Sequence, residues 1–293
     1  METSIEFSPV VRKGERIDEI GFGGYKLIQN PEEFCYGVDS VLLSDFAALR
    51  MKADADLVVD LGSGTGVIPL ILCHKTKASQ IWGIEIQESS LERAARSAQL
   101  NDVSDRVSFI LGDVKDVKTT WGRDFKGRAG AVVSNPPYFK AGGAIRSWQG
   151  AKAAARHETT AGLEDFMECA AYLLRDKGDL FMVHRPARLV DICCFGRAAG
   201  LELKELIFVS PLKDAAANIL LLHMVKGGGS EYCRLWLSTA IEASIRKNCS
   251  KHMRDLNKFA YYYGNDYTCH ISYEAAFESV PHLFYMSYAE IKG

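Results

Sequence analysis

Hydrophobic and polar positions follow two different spacings along the chain. Near its start, short apolar runs at 17–20 and 25–29 flank a cluster of glycines, a spacing typical of a β-hairpin. Asp39 then precedes apolar residues at helical spacing, which predicts an amphipathic helix with Asp39 as its N-cap. The first part of the chain is therefore predicted to be a hairpin followed by a helix.

From residue 57, compact apolar runs alternate with longer helical patterns. The predicted strands lie at 57–61, 81–84, 107–111, 130–133, 180–183, 203–209 and 218–225. The predicted helices lie at 67–74, 89–100, 163–175 and 187–199. Strands that alternate with helices indicate a parallel sheet covered on both faces, and the last two strands, closely connected, predict an antiparallel edge. This pattern predicts a doubly wound α/β domain.

The same patterns divide the chain into three predicted segments. Residues 1–38 form an N-terminal hairpin segment, and residues 39–229 form the α/β domain. Three glycines and a serine at 227–230 predict a flexible joint, after which residues 230–293 form an appendage. The appendage is predicted to be helical from 235 to about 259 and then tyrosine-rich.

Composition narrows the class of protein. Of the 293 residues, 47% are hydrophobic and 25% charged, and 35 Lys+Arg against 37 Asp+Glu give a formal net charge of −2. These proportions exclude intrinsic disorder and coiled coil and are typical of a soluble globular protein. Nucleic-acid binding by bulk charge alone is also excluded, so such a function would depend on local basic patches.

The cysteine pattern indicates the compartment. The eight cysteines include no Cys-x-x-Cys pair and no Cys/His cluster at zinc spacing, so we expect reduced thiols, no metal and a cytoplasmic location. The longest apolar run near the middle of the chain is interrupted by His223, far short of a bilayer span. We therefore expect no membrane partner.

A glycine-rich loop connects the first predicted strand of the α/β domain to the next helix. Gly62, Gly64 and Gly66 would let the backbone approach a ligand closely, beside the free N–H groups of a helix N-terminus. Glu85 follows Gly66 by about 20 residues, where doubly wound sheets hold a carboxylate against ribose hydroxyls. The plainer interpretation is a tight turn with an incidental glutamate. The two features together favour a nucleoside cofactor.

The residue before the loop selects among such cofactors. The loop is Gly-x-Gly-x-Gly instead of the Gly-x-Gly-x-x-Gly of dinucleotide sites, and Asp60 precedes it. An acid here would repel a pyrophosphate but suits the ammonium of an amino acid. The sequence therefore favours S-adenosylmethionine, which combines an adenosine, a sulfonium and an amino-acid tail.

In this loop and its acids the chain resembles the seven-stranded class I methyltransferases that use S-adenosylmethionine. The resemblance implies a Rossmann-like sheet with an antiparallel last strand, and a segment 1–38 that covers the cofactor. It implies that the three glycines wrap the methionine part, that Asp60 faces its amino group and that Glu85 holds the ribose. Further implied cofactor contacts are Ile86 against the adenine, Asp113 accepting from the adenine amino group, Val114 and Asp39. Taken alone, Asp113 could equally cap the segment that follows it.

The tetrapeptide Asn135-Pro136-Pro137-Tyr138 follows the strand at 130–133. Two prolines could simply stop a strand, but ligands bind at this edge of a doubly wound sheet. An amino nitrogen conjugated to a ring is a poor nucleophile because its lone pair is delocalised. The Asn135 side-chain oxygen and the Pro136 carbonyl could each accept a hydrogen bond from one of its two N–H groups. The prolines would fix the backbone direction, and Tyr138 would stack on the planar group. These four residues are the catalytic candidates.

The tetrapeptide leaves the methyl acceptor open. Asn/Asp-Pro-Pro-Tyr is shared by adenine-N6 methyltransferases of DNA and RNA, guanine-N2 methyltransferases of ribosomal RNA and glutamine-N5 methyltransferases of release factors. A scaffold with a dead site is the non-enzymatic alternative, against which the intact tetrapeptide and Glu85 argue. Over residues 15–230 the chain also resembles the bacterial tRNA1(Val) adenine-N6 methyltransferases. That resemblance rests on Gln29, Phe34, 36–39, 42–43, 155–158, 208–211, 218–221 and 226–228.

Local charge agrees with an RNA acceptor. Between 140 and 160 the sequence has four cations and the single anion Glu158, and the substrate-binding candidates there are Lys140, Arg146, Arg156 and His157. His157 could equally be a structural hydrogen-bond partner. A second basic run at 246–258 precedes three tyrosines. The basic run would bind phosphates and the tyrosines would stack on bases. Alternatively, the basic run is a solvated helix and the tyrosines belong to the core. We therefore expect tRNA as partner, bound by a monomer or weak dimer.

Overall fold

The N-terminal part of the chain folds as its pattern predicts, with one local difference. The computed structural model describes residues 11–33, 35–138, 161–211, 215–230 and 233–238. Strands β1 (Arg16–Glu19) and β2 (Lys26–Gln29) pair as an antiparallel hairpin. Helix α1 (Val38–Arg50) has Gly37 at its N-cap, so the N-cap assignment of Asp39 is wrong and its side chain lies in the first turn. Asp39 is thereby available for a partner outside the helix.

The main sheet contains eight strands in the order β10-β8-β9-β7-β6-β3-β4-β5. Its strands are β3 (Leu57–Leu61), β4 (Gln80–Glu85), β5 (Val107–Leu111), β6 (Ala129–Ser134), β7 (Leu174–His184), β8 (Leu201–Val209), β9 (Ile219–Lys226) and β10 (Arg234–Ser238). The other helices are α2 (Val67–Lys75), α3 (Glu88–Leu100), α4 (Leu163–Leu173) and α5 (Leu189–Ala198). Strand β9 is antiparallel to β7 and β8, and the other neighbours are parallel. The predicted doubly wound fold is confirmed.

Two boundaries differ from the predictions. Helix α4 ends at Leu173, and β7 starts at Leu174. The early start of β7 is possible because its pairing with β6 shifts register after Leu174, where Lys177 adopts the left-handed conformation (φ 57°). The helix predicted from residue 235 is wrong at its start, since β10 pairs in parallel with β8. Leu and Trp suit a strand, and pairing here satisfies the open edge of β8. The predicted appendage therefore begins inside the sheet; residues 239–293 lie outside the described residues.

The sheet is buried on both faces. Alternate residues of β3 point to opposite sides, so Val58 packs with α1 and α2, whereas Val59 packs with α4. Because the central strands are covered twice, they are almost continuously apolar. No helix in the described parts of the chain combines the length and the hydropathy that a bilayer span requires.

Strand register brings the predicted site residues to one edge. Leu61 of β3 pairs with Ile84 of β4 and Ser134 of β6. The glycine loop, Glu85 and Asn135 each belong to or follow the carboxyl end of one of these neighbouring strands. The edge where they meet is where ligands bind in doubly wound sheets.

Candidate active site

The glycine loop folds back over the end of β4. Gly62, Gly64 and Gly66 have φ values of +75°, +54° and +86°, all in the left-handed region that glycine adopts without strain. The N–H groups of Gly62 and Ser63 donate to the Ile84 carbonyl at 2.9 and 3.0 Å. Gly66 is the N-cap of α2. The loop therefore places a helix N-terminus at the site edge.

Two of these glycines have different surroundings. A Cβ on Gly66 would lie 2.7 Å from Phe109 Cζ and 3.0 Å from Ala94 Cβ, so packing beneath the loop requires glycine there. A Cβ on Gly64 would meet no atom within 4 Å. Gly64 therefore faces open space that a ligand can fill.

This difference predicts the effects of two matched substitutions. Gly64→Ala is expected to cost about 1 kcal/mol of unfolding free energy, the penalty of a left-handed alanine. Gly66→Ala adds overpacking and is expected to cost ~3 kcal/mol or more. Urea unfolding measures both losses, and calorimetry should show that Gly64→Ala binds S-adenosylmethionine poorly although it folds. Equal destabilisation by the two variants would contradict the described packing.

Glu85 joins the loop to the end of β4. Its buried carboxylate accepts the Gly64 N–H through Oε2 at 2.8 Å and the Gln87 N–H through Oε1 at 2.9 Å. The sequence predicts that Glu85 holds a ribose, and the structure adds that it fixes the backbone of the loop. A ribose hydroxyl can still donate to a carboxylate, because each oxygen has a second lone pair.

The residues predicted to contact adenine have different environments. Ile86 is 56% exposed at the end of β4, and Leu111 is 54% exposed at the end of β5, so the edge presents an apolar surface. Asp113 accepts the Lys115 N–H at 2.9 Å and caps a short 3-10 helix, Val114–Asp116, so the capping interpretation holds. Val114 is buried in the core. Contact of these residues with a cofactor stays a prediction.

Asp60 is a fully buried carboxyl group for which the described chain supplies no hydrogen-bond donor. Burial, and secondly the charge of Glu85, raise the pKa of Asp60 well above its ordinary value. A buried group of this kind is costly unless a partner satisfies it. The ammonium of an amino acid is such a partner, which agrees with the predicted role.

Asp60→Asn is expected to separate folding from binding. The unfolding free energy of the cofactor-free protein should stay unchanged or rise by ~1 kcal/mol, because a neutral amide is cheaper to bury. Affinity for S-adenosylmethionine, measured by calorimetry, should fall about 10-fold or more. Since the folded state holds the Asp60 proton to higher pH, Asp60 lowers the unfolding free energy increasingly above about pH 4. Loss of stability at neutral pH in Asp60→Asn would refute this interpretation.

The Asn-Pro-Pro-Tyr tetrapeptide is held by the first turn of α1. Asn135 Nδ2 donates to Ser40 Oγ at 3.1 Å. The Tyr138 hydroxyl lies 2.6 Å from Asp39 Oδ2 and 2.9 Å from Asn135 Oδ1. Pro136 is buried and Pro137 exposed. The structure therefore places Asp39 against Tyr138, and its predicted cofactor contact stays a prediction.

Two further residues, which the sequence did not predict as site residues, also contact Tyr138. The His184 ring lies 5.0 Å from the Tyr138 ring, and the Arg185 guanidinium carbon lies 4.8 Å from the same ring. Burial, and then Arg188 and Arg185, lower the pKa of His184 to about 4, so its imidazole is neutral at physiological pH. Both residues lie at the carboxyl end of β7, a position that could have drawn attention to them. The predicted substrate contacts Lys140, Arg146, Arg156 and His157 lie outside the described residues.

The edge fits an S-adenosylmethionine molecule in three respects. Asp60 offers an unsatisfied carboxyl, Gly64 faces open space, and Ile86 and Leu111 form an exposed apolar surface beside Glu85. These features match an ammonium, an amino-acid chain and an adenosine respectively. Among the described residues no cluster of metal-ligating side chains is present.

Comparisons with known proteins agree with this arrangement. A family profile described as a methyltransferase domain matches residues 52–127. A tRNA1(Val) (adenine(37)-N6)-methyltransferase of Porphyromonas gingivalis is 32% identical over 188 residues, 63% of this chain and 72% of the relative. Its counterpart in Dickeya chrysanthemi is 28% identical over 203 residues, 69% of this chain and 77% of that one.

Solved structures share the fold. A predicted O-methyltransferase of Agrobacterium tumefaciens has a TM-score of 0.51 at 21% identity, covering 78% of this chain and 100% of that one. The M. jannaschii protein TYW2 in complex with AdoMet has a TM-score of 0.50 at 15% identity, covering 73% and 86%. With the sequence relatives, these findings lead to one conclusion: the chain is an S-adenosylmethionine-dependent N-methyltransferase and belongs to the tRNA1(Val) (adenine(37)-N6)-methyltransferase family.

Proposed function

We propose that this enzyme transfers a methyl group from S-adenosylmethionine to the exocyclic N6 of an adenine in tRNA. The observation that carries the proposal is the position of Asn135 and Tyr138 at the carboxyl edge of β6, next to the glycine loop after β3. The names of the relatives support the same acceptor.

The chemistry follows from what these residues can accept. S-Adenosylmethionine, when bound, supplies an electrophilic methyl group on a sulfonium. Asn135 Oδ1 and the Pro136 carbonyl oxygen would each accept a hydrogen bond from one N–H group of the adenine amino group. The nitrogen lone pair is then directed at the methyl group. Holding the reacting atoms in line and placing acceptors where positive charge develops accounts for catalysis without a strong base, because the proton would leave the nitrogen for water only after the methyl has been transferred.

The same proposal assigns a role to the aromatic and basic groups. Tyr138 would stack on the flipped adenine, and Arg185, which flanks its ring at 4.8 Å, would contact an RNA phosphate. Lys140, Arg146, Arg156 and His157 remain proposed RNA contacts. The cofactor contacts proposed are Asp60, Gly62, Gly64, Gly66, Glu85, Ile86, Asp113 and Val114.

Enzymes with the same tetrapeptide methylate two other acceptors: the side-chain amide of a protein glutamine and the N2 of a guanine in ribosomal RNA. A cation beside Tyr138 favours a polyanionic substrate over a protein loop. We also propose a monomer or weak dimer in the cytoplasm, which agrees with an RNA acceptor and with the free cysteines of the described chain.

The experiment that tests this proposal offers all three acceptors to the full chain. Purified enzyme is incubated with methyl-labelled S-adenosylmethionine and, separately, total tRNA, ribosomal RNA or a release factor. We expect label in tRNA only. Label confined to the release factor or to ribosomal RNA would overturn the proposed acceptor.

A further inference from the structure

One hydroxyl proton in the site faces two acceptors. The Tyr138 hydroxyl lies 2.6 Å from a carboxylate oxygen of Asp39 and 2.9 Å from the amide oxygen of Asn135. A phenol has a single O–H, so it cannot donate fully to both. If the hydroxyl donates its hydrogen bond to Asn135, the amide oxygen is already occupied when a substrate arrives. If it donates to Asp39, that oxygen is free to accept from the substrate.

The carboxylate is the stronger of the two acceptors. Its contact is the shorter one, and hydrogen bonds to a carboxylate are shorter and stronger than those to a neutral amide. Burial, and then the charge of Asp39, raise the pKa of Tyr138, so the hydroxyl keeps its proton at physiological pH. The Tyr138 hydroxyl therefore donates its hydrogen bond to Asp39, which leaves Asn135 Oδ1 without a full donor.

The other end of the Asn135 amide is fixed by the same helical turn. Ser40, which is buried, accepts from Asn135 Nδ2 at 3.1 Å. Asp39 and Ser40 are consecutive residues of α1, so one turn fixes both the amide and the tyrosine. The amide nitrogen points to α1, and the amide oxygen remains for the substrate.

We propose that Asp39 is a positioning residue of the methyl-transfer reaction: it accepts the Tyr138 hydroxyl and thereby keeps Asn135 Oδ1 available to the acceptor amino group. This inference rests on the proposed function only in one respect: Asn135 Oδ1 accepts a hydrogen bond from the amino group that is methylated. It is independent of which amine that is. It differs from the cofactor contact that the sequence predicts for Asp39. Without Asp39, the tyrosine would donate into Asn135 and compete with the substrate.

A double-mutant cycle between Asp39 and Tyr138 tests this competition. Asp39→Ala is expected to lower kcat about 10-fold, the effect of one hydrogen bond, and to leave the S-adenosylmethionine Kd from calorimetry within about 2-fold. In the Tyr138→Phe background no hydroxyl competes, so adding Asp39→Ala should change kcat by less than about 2-fold. Asp39→Asn keeps a carbonyl acceptor and should lose less than Asp39→Ala. Asp45→Ala, which removes an α1 carboxylate six residues further along and its ion pair with Lys75, is the control for lost stability without lost contact to Tyr138.

Each remaining outcome counts against the proposal. An equal loss of kcat in both backgrounds would show a merely structural role for Asp39. A raised Kd for S-adenosylmethionine in both backgrounds would show the cofactor contact instead. The rates are compared on whichever acceptor the unmodified enzyme methylates, so a wrong choice of acceptor is detected first and separately.

Discussion

Asn135→Ala is expected to lower kcat for methyl transfer by about 10²–10³-fold, the loss seen when one positioned transition-state hydrogen-bond partner is removed. Affinity for S-adenosylmethionine should stay within about 2-fold, because Asn135 contacts Ser40 and Tyr138 and not the glycine loop. Steady-state turnover at saturating tRNA acceptor and calorimetry with the cofactor measure the two quantities.

Asn135→Asp is the matched control for this substitution. It keeps an oxygen acceptor, as the Asn/Asp form of the tetrapeptide allows, but removes the Nδ2 donation to Ser40. It should therefore retain more activity than Asn135→Ala. Unchanged turnover in Asn135→Ala, or equal losses of kcat and cofactor affinity, would contradict the assigned role.

Glu85→Ala has the second large expected effect, on cofactor binding. The substitution leaves the N–H groups of Gly64 and Gln87 without their acceptor and removes the carboxylate beside the proposed ribose position. The carboxylate that would accept from the ribose hydroxyls is lost, and the glycine loop loses its support, so the Kd for S-adenosylmethionine should rise by ~100-fold or more. Calorimetry measures this directly.

Glu88→Ala is the control, since Glu88 is an exposed glutamate in the first turn of α3 that follows the same strand. Its Kd should stay within about 2-fold of the unmodified enzyme, as expected for an exposed side chain that supports no part of the glycine loop. If Glu85→Ala only lowered the melting temperature and left the Kd unchanged, Glu85 would be a loop support and not a ribose ligand.

The fold could be predicted from sequence because its signals are local. The central strands are buried on both faces, so Leu57–Leu61 and Ala129–Ser134 are largely apolar runs, with Asp60 and Ser134 as their polar residues, and they stand out between helices. The glycine loop was equally clear, because left-handed backbone at Gly62, Gly64 and Gly66 needs that residue type. Such features depend on a few neighbouring residues.

The contacts that organise the site were not predictable because they join distant positions. Asp39 and Tyr138 are 99 residues apart, and no local pattern pairs them. His184 and Arg185 come to Tyr138 only because β7 lies beside β6. Strand β10 was missed for a different reason: its short apolar run fits either a helix or a strand, and the open edge of β8 decides between them.

The net charge of −2 belongs to the whole chain, whereas charges of opposite sign lie on two sides of the site. Asp60 and Glu85 lie on the proposed cofactor side, whereas Arg185 lies beside Tyr138 on the proposed acceptor side. A protein with so small a net charge is expected to bind RNA modestly and in a salt-sensitive way, through base flipping and shape and not through bulk charge.

The chemical identity of the methylated nucleoside decides the proposed reaction. tRNA incubated with the enzyme and S-adenosylmethionine is digested to nucleosides and analysed by mass spectrometry against standards. N6-methyladenosine should increase with the unmodified enzyme and not with Asn135→Ala. An increase in N2-methylguanosine, or no new methylated nucleoside, would contradict adenine-N6 methylation of tRNA by this chain.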